Sequence, residues 1–104
     1  MEDGFQVVHL GAEDYDAIIA LWQAAGLPYK PAGRDSRAQF AAQMASGLQQ
    51  AIGVRAGEQL VGVVLVTHDS RKGWINRLAV HPDFRRRGVA RLLIAEAERV
   101  LRDE

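Results

Sequence analysis

The residues best suited to chemistry are three consecutive arginines and a glycine, in Arg85-Arg86-Arg87-Gly88-Val89-Ala90. They follow an apolar strand-like run that ends at Val80-His81-Pro82. They precede a segment in which Val89, Leu92, Leu93, Ala97, Val100 and Leu101 share one helical face. A helix starting at about Gly88 points its first unpaired N–H groups into the turn, where the positive end of the helix dipole favours an anion. Gly88 and the small Ala90 let a ligand approach the backbone, and the guanidinium groups add charge. This arrangement predicts a phosphate or pyrophosphate site. The sequence has no G-x-G-x-x-G, which argues against a Rossmann fingerprint, and no G-K-[ST], which excludes a P-loop.

The distribution of charge supports one anionic ligand over a long polyanion. Thirteen basic residues balance thirteen acidic ones. Between residues 71 and 91, however, Arg71, Lys72, Arg77, Arg85, Arg86, Arg87 and Arg91 face only Asp83. A small nucleic-acid binder is therefore disfavoured, because the net charge is zero and few aromatic residues flank the arginines. There is no cysteine, which removes disulfides, thiolate metal sites and a cysteine nucleophile. His9 and His68 lack partners at metal-ligand spacing, so no metal site is expected. The start MEDGFQVVHL lacks the features of a secretory signal, and the longest apolar run, LVGVVLV, is too short to cross a membrane. These features read as a soluble cytoplasmic protein.

Several elements must hold the arginine turn in place. Phe5–Leu10 reads as a strand. Tyr15, Ile18, Ile19, Trp22 and Ala25 mark an amphipathic helix stopped by Gly26 and Leu27-Pro28. Leu27–Asp35 reads as a loop, and Ser36 with Gln39 fits a capping box for a second helix carrying Phe40, Met44 and Leu48. Ala51–Arg55 and Leu60–His68 read as strands joined by a tight turn at Gly57-Glu58. The second of these is apolar without alternation, as in a strand covered on both faces. Gly73–Val80 is a fourth strand, in which Trp74 alternates with Asn76, Leu78 and Val80 and so shares a face with them, lining a cleft or packing. The last helix runs from Gly88 to Asp103. The order β-α-α-β-β-β-α implies an α/β (α+β) layer structure in one domain, residues 1–104. Acids at the end of the last helix, with no closing glycine, read as a chain truncated after that helix.

Arg85-x-x-Gly88-x-Ala90, after a strand ending Leu-Ala-Val-His-Pro and before an amphipathic helix, resembles the acetyl-CoA motif of the GNAT N-acetyltransferase superfamily. The order of elements resembles the first part of that fold, a mostly antiparallel sheet flanked by helices. The resemblance implies that backbone amides from Arg86 to Ala90, Val89 included, bind the pyrophosphate of acetyl-CoA, beside Arg85, Arg86 and Arg87. The main chain of Leu78 and Val80 would pair with the pantetheine arm as an added strand. An amide at Leu78 or Ala79 would polarise the thioester carbonyl. The acetyl group would pass directly to a primary amine, helped by a base. Asn76 stands where many relatives carry a glutamate base, and an amide cannot take up a proton. The loop after the first helix corresponds to the acceptor pocket, which makes Tyr29, Arg34 and Asp35 candidate substrate contacts, with Trp74.

The family's further strands, which supply the other cleft wall and a tyrosine acid, lie beyond the part this sequence matches. The Gly73–Val80 edge is then free to pair with a second copy in a homodimer. The leading expectation is an acetyl-CoA-dependent N-acetyltransferase. The alternative is a catalytically silent coenzyme A-binding or regulatory module.

Overall fold

The computed structural model describes residues 4–28, 33, 36–68 and 72–102. Four strands, β1 (Phe5–Leu10), β2 (Gln49–Ala56), β3 (Gln59–His68) and β4 (Gly73–Val80), form one antiparallel sheet in chain order. Helices α1 (Tyr15–Ala25) and α2 (Arg37–Ser46) follow β1, and α3 (Val89–Arg102) follows β4. The fold is thus the mixed α/β layer structure expected, with its elements in the expected order. Strand β2 is longer than expected because Gln49 and Gln50 also pair with β3.

Local residue chemistry sets the ends of the helices. Gly26 closes α1 at φ 77°, in the left-handed region that glycine enters without a Cβ clash. The Ser36 hydroxyl accepts from the Gln39 amide at 3.2 Å and starts α2. The Ser36 amide donates to the Gly33 carbonyl instead of the Gln39 side chain, so only half of the expected capping box forms. Gly47, at φ 79°, ends the helix before Leu48. The expected end of the last helix at Asp103, and Glu104 after it, lie outside the described residues.

The sheet separates two apolar layers. Leu10, Ile18, Leu21, Trp22, Phe40, Val63 and Leu65 pack on the α1 and α2 side. Phe5, Ile52, Val61, Val64, Val66, Val89, Leu93, Ala97 and Val100 pack on the α3 side. Strand β3 lies at the centre and buries every residue from Leu60 to Val66 except for the side chain that Gly62 lacks. Burying one valine contributes about 2 kcal/mol, so β3 anchors both layers. Among the described residues, no helix is long and apolar enough to cross a membrane.

Two irregularities interrupt this regular sheet. Val54 pairs with Gly62 and Arg55 with Leu60, which leaves Val61 as an extra residue in β3. In β4, Ala79 pairs with Val63 and Asn76 with Leu65, so Arg77 and Leu78 together oppose Val64. This second bulge corrects the simple alternation read from the sequence. Trp74 and Asn76 lie on the α1 side, opposite Thr67 and Leu65, whereas Val80 packs with Ile75 in the α3 layer. The extra residue switches the parity of the strand. Arg77 takes φ 56° to make the bulge, a conformation rare for a residue with a Cβ.

Candidate functional site

Strand β4 is the edge of the described sheet, so one side of its backbone has no neighbouring strand among the described residues. From its end, His81 donates its amide to the Val61 carbonyl at 2.8 Å, and its Nδ1 accepts from the Asp83 amide at 3.1 Å. His81 therefore caps the short 3-10 turn Pro82–Phe84. The chain then passes through Arg85 to Gly88, with left-handed φ at Arg86 (66°) and Gly88 (88°). Leu92 donates to the Gly88 carbonyl at 3.1 Å, which sets Gly88 at the start of α3. The amides of Val89, Ala90 and Arg91 precede the first such bond and have no partner within the helix.

Two adjoining hollows meet at this turn. One, of about 300 Å³, is lined by Ala25, Leu27, Leu78, Ala79, Val80 and Arg85. The other, of about 260 Å³, is lined by Val80, Phe84, Arg85, Arg86, Gly88, Val89, Ala90 and Arg91. They share Val80 and Arg85, and together they run from the end of α1, past β4, to the start of α3. A Cβ placed on Gly88 would meet nothing within 4 Å, so the turn's backbone is open to a ligand.

The three arginines, alike in sequence, have different surroundings. Arg85 donates from Nε to the Val80 carbonyl and from Nη2 to the Ala25 carbonyl, each at 3.3 Å. Arg87 lies over the rings of Phe5 (5.6 Å) and Phe84 (5.1 Å), a cation–π arrangement. Arg86 has no hydrogen bond or ion pair among the described residues, and neither has Arg91. Asp83 is the nearest acid in sequence, so the open hollow keeps a net positive lining.

Of the residues expected to bind the cofactor, Leu78, Val80, Arg85, Arg86, Gly88, Val89 and Ala90 line the hollows and Arg87 does not. Ala25, Leu27 and Phe84 also line them, and no motif in the sequence marks these three. Asn76 donates from Nδ2 to the Thr67 hydroxyl at 3.2 Å, on the α1 face. Trp74 is 48% exposed and Leu78 40%, both unusually open for apolar strand residues. Tyr29, Arg34 and Asp35 lie outside the described residues.

Apart from this site, Glu96 of α3 accepts from Arg99 (2.6 and 3.0 Å) and contacts His9 Nε2 of β1 at 2.7 Å. The Arg99 and His9 hydrogen bonds lower its pKa to about 2.

The sequence profile of the Acetyltransferase (GNAT) family matches residues 14–104. An acetyltransferase of Pectobacterium atrosepticum is 30% identical over 89 residues, which is 86% of this chain and 62% of that protein. This chain therefore spans about three fifths of that relative's length. Among solved structures, the PaiA N-acetyltransferase of Thermoplasma acidophilum in complex with coenzyme A has the same fold (TM-score 0.79, 17% identity, 95% of this chain and 72% of that one). An aminoglycoside acetyltransferase from an uncultured soil metagenomic sample, in complex with sisomicin, also shares it (TM-score 0.79, 13% identity, 98% and 72%). The arginine turn, the edge strand that precedes it and the profile match across nearly the whole sequence agree: the chain belongs to the GNAT acetyltransferase family.

Proposed function

We propose that this chain holds acetyl-CoA in the paired hollows beside β4 and serves transfer of its acetyl group to a primary amine. The observation that carries the reading is the pair of adjoining hollows from Leu78 to Ala90, which share Val80 and Arg85, with an open glycine turn and free helix amides at one end. Amides of Val89 and Ala90 donate to phosphate oxygens there, and Arg86 adds a charge with no competing acid. The free side of β4 offers main-chain groups at Leu78 and the amide of Val80, whose carbonyl Arg85 holds, to an extended, amide-bearing arm. The bulge interrupts the ladder at Leu78, which supports its amide, or that of Ala79, as donor to the thioester oxygen. When bound, acetyl-CoA supplies the activated acetyl group. The Thermoplasma relative's complex with coenzyme A and the metagenomic relative's complex with sisomicin support both halves of this reading.

A second reading, a silent coenzyme A-binding module, is favoured by one observation: β4 carries no carboxylate, and the Asn76 amide is engaged by Thr67. Acetyl transfer to a panel of amines separates the two.

The cofactor reading is tested by Gly88→Val. At φ 88° a β-branched residue is strained, and its side chain would enter the open space over the turn. Calorimetry with acetyl-CoA should show at least a tenfold loss of affinity, about 1.4 kcal/mol. Equal affinity in both proteins would refute the site.

A further inference from the structure

The geometry points to Arg85 as a positioning residue that fixes the width of the groove, and not as a ligand for phosphate. This assignment rests on the coenzyme A reading above. Ala25 is the last residue of α1, and Gly26 follows it in the left-handed conformation that ends the helix. Carbonyls at a helix C-terminus lack intrahelical partners and carry partial negative charge, so a guanidinium is well matched to them. Val80 is the last residue of β4. One rigid planar fork thus ties the end of α1 to the end of β4, with Nη2 on one carbonyl and Nε on the other.

The hollow of about 300 Å³ lies between these two ends: Ala25 and Leu27 form one wall, and Leu78, Ala79 and Val80 form the other. Arg85 is the only side chain lining the hollow that hydrogen-bonds to both walls among the described residues. Its neighbours in sequence do other things. Arg87 is held by Phe5 and Phe84, and Arg86 is left as the free charge of the three. A run of like residues has therefore divided into a strut, a free charge and an aromatic anchor.

A strut and a phosphate ligand respond differently to substitution. Lysine keeps the charge but cannot present two fixed N–H groups to two carbonyls. An exposed charge acting on phosphate weakens with salt, whereas a spacing effect does not. Calorimetry of the full chain with coenzyme A, across a range of salt concentrations, should therefore show Arg85→Lys and Arg85→Gln each weakening binding about tenfold. Arg85→Lys, which keeps the charge, should also keep the wild-type salt slope, while Arg86→Gln flattens it. Restoration of wild-type affinity by lysine would overturn the assignment.

If either Arg85 variant fails to fold, NMR of the wild-type protein supplies the same distinction. On addition of inorganic pyrophosphate the Arg86 Nε–H resonance should move and that of Arg85 should stay. Equal movement of both counts against the strut. Wild-type protein that does not bind coenzyme A overturns the functional reading and this assignment together. Binding with lysine rescue overturns the assignment alone.

Discussion

Strands β3 and β4 share one ladder and nearly the same length, but only one of them is sealed. From Leu60 to Val66, β3 sends side chains alternately into two apolar layers and exposes none of them. In β4 only Ala79 is fully buried, and Trp74 and Leu78 face solvent. Strand β4 also breaks register at Arg77-Leu78 and accepts an unfavourable φ there. An interior strand gains stability from uninterrupted packing, which leaves nothing for a ligand to touch. An edge strand gives up part of that packing and keeps free backbone and a groove. The difference shows that the candidate site is affordable because β3 behind it carries the fold.

The largest test of this comparison places one charge in each strand. Val64→Asp would bury an unpaired carboxylate between β3 and α3 and should cost about 4 kcal/mol or more. Leu78→Asp, on the exposed bulge directly opposite, should change stability by only about 0.5 kcal/mol. Denaturant unfolding of the two variants measures both, and similar losses would erase the distinction between the strands.

A smaller effect is expected where β3 meets the start of α3. A Cβ on Gly62 would lie 2.5 Å from Val89 Cγ1 and 3.0 Å from Leu93 Cδ1, so Gly62→Ala must displace the first turns of α3. Such overpacking costs about 1–3 kcal/mol. The displaced turn is also the proposed phosphate cradle, so coenzyme A affinity should fall in the same variant. Lost stability with unchanged affinity would separate the β3 support from the site.

The smallest effect concerns α3 away from the turn, where its charge is already satisfied. The pKa of Glu96 is lowered from 4.5 to about 2 by Arg99 and His9. The folded state therefore binds this proton less readily than the unfolded chain. The stabilisation is complete above about pH 4.5 and is lost as pH falls toward 2. His9 and Arg99 are half exposed, so solvent screening keeps the effect below about 1 kcal/mol. The melting-temperature difference between wild type and Glu96→Gln should be steady near neutrality and vanish between those limits. A difference that persists at pH 2 would exclude this clasp as its source.

Much of this architecture can be read along the chain. Local signals sufficed for Gly26 at the end of α1, Ser36 at the start of α2, the unalternating β3 and both ends of β4. The position of the turn from Arg85 to Ala90 was equally legible, because Gly88 stands where an apolar strand gives way to a helical pattern, although the positive φ of Arg86 was not. The bulges at Val61 and at Arg77-Leu78 were not legible, since a bulge is defined by the partner strand's register. Period-two reading therefore put Val80 on the same face as Trp74. The fates of Arg85 and Arg87 were hidden for a related reason: Ala25 lies 60 residues from Arg85 in sequence, and Phe5 is further still from Arg87. Leu21, fully packed between α1 and the sheet, falls outside the spacing that picked out its neighbours.

Gly73 and Gly62 touch opposite ends of the same helix. A side chain at Gly73 would run into Leu101, just as one at Gly62 would run into Val89. Helix α3 thus rests on the sheet at two glycine seats, one under each end. Its 14 residues make a bar about 21 Å long. Pivoting such a bar by about 3° on one seat moves its other end by about 1 Å. A substitution at Gly73 too bulky for the Leu101 tip to rotate away from, at the far end of β4 from the arginine turn, would therefore act as a lever on the spacing of the phosphate cradle.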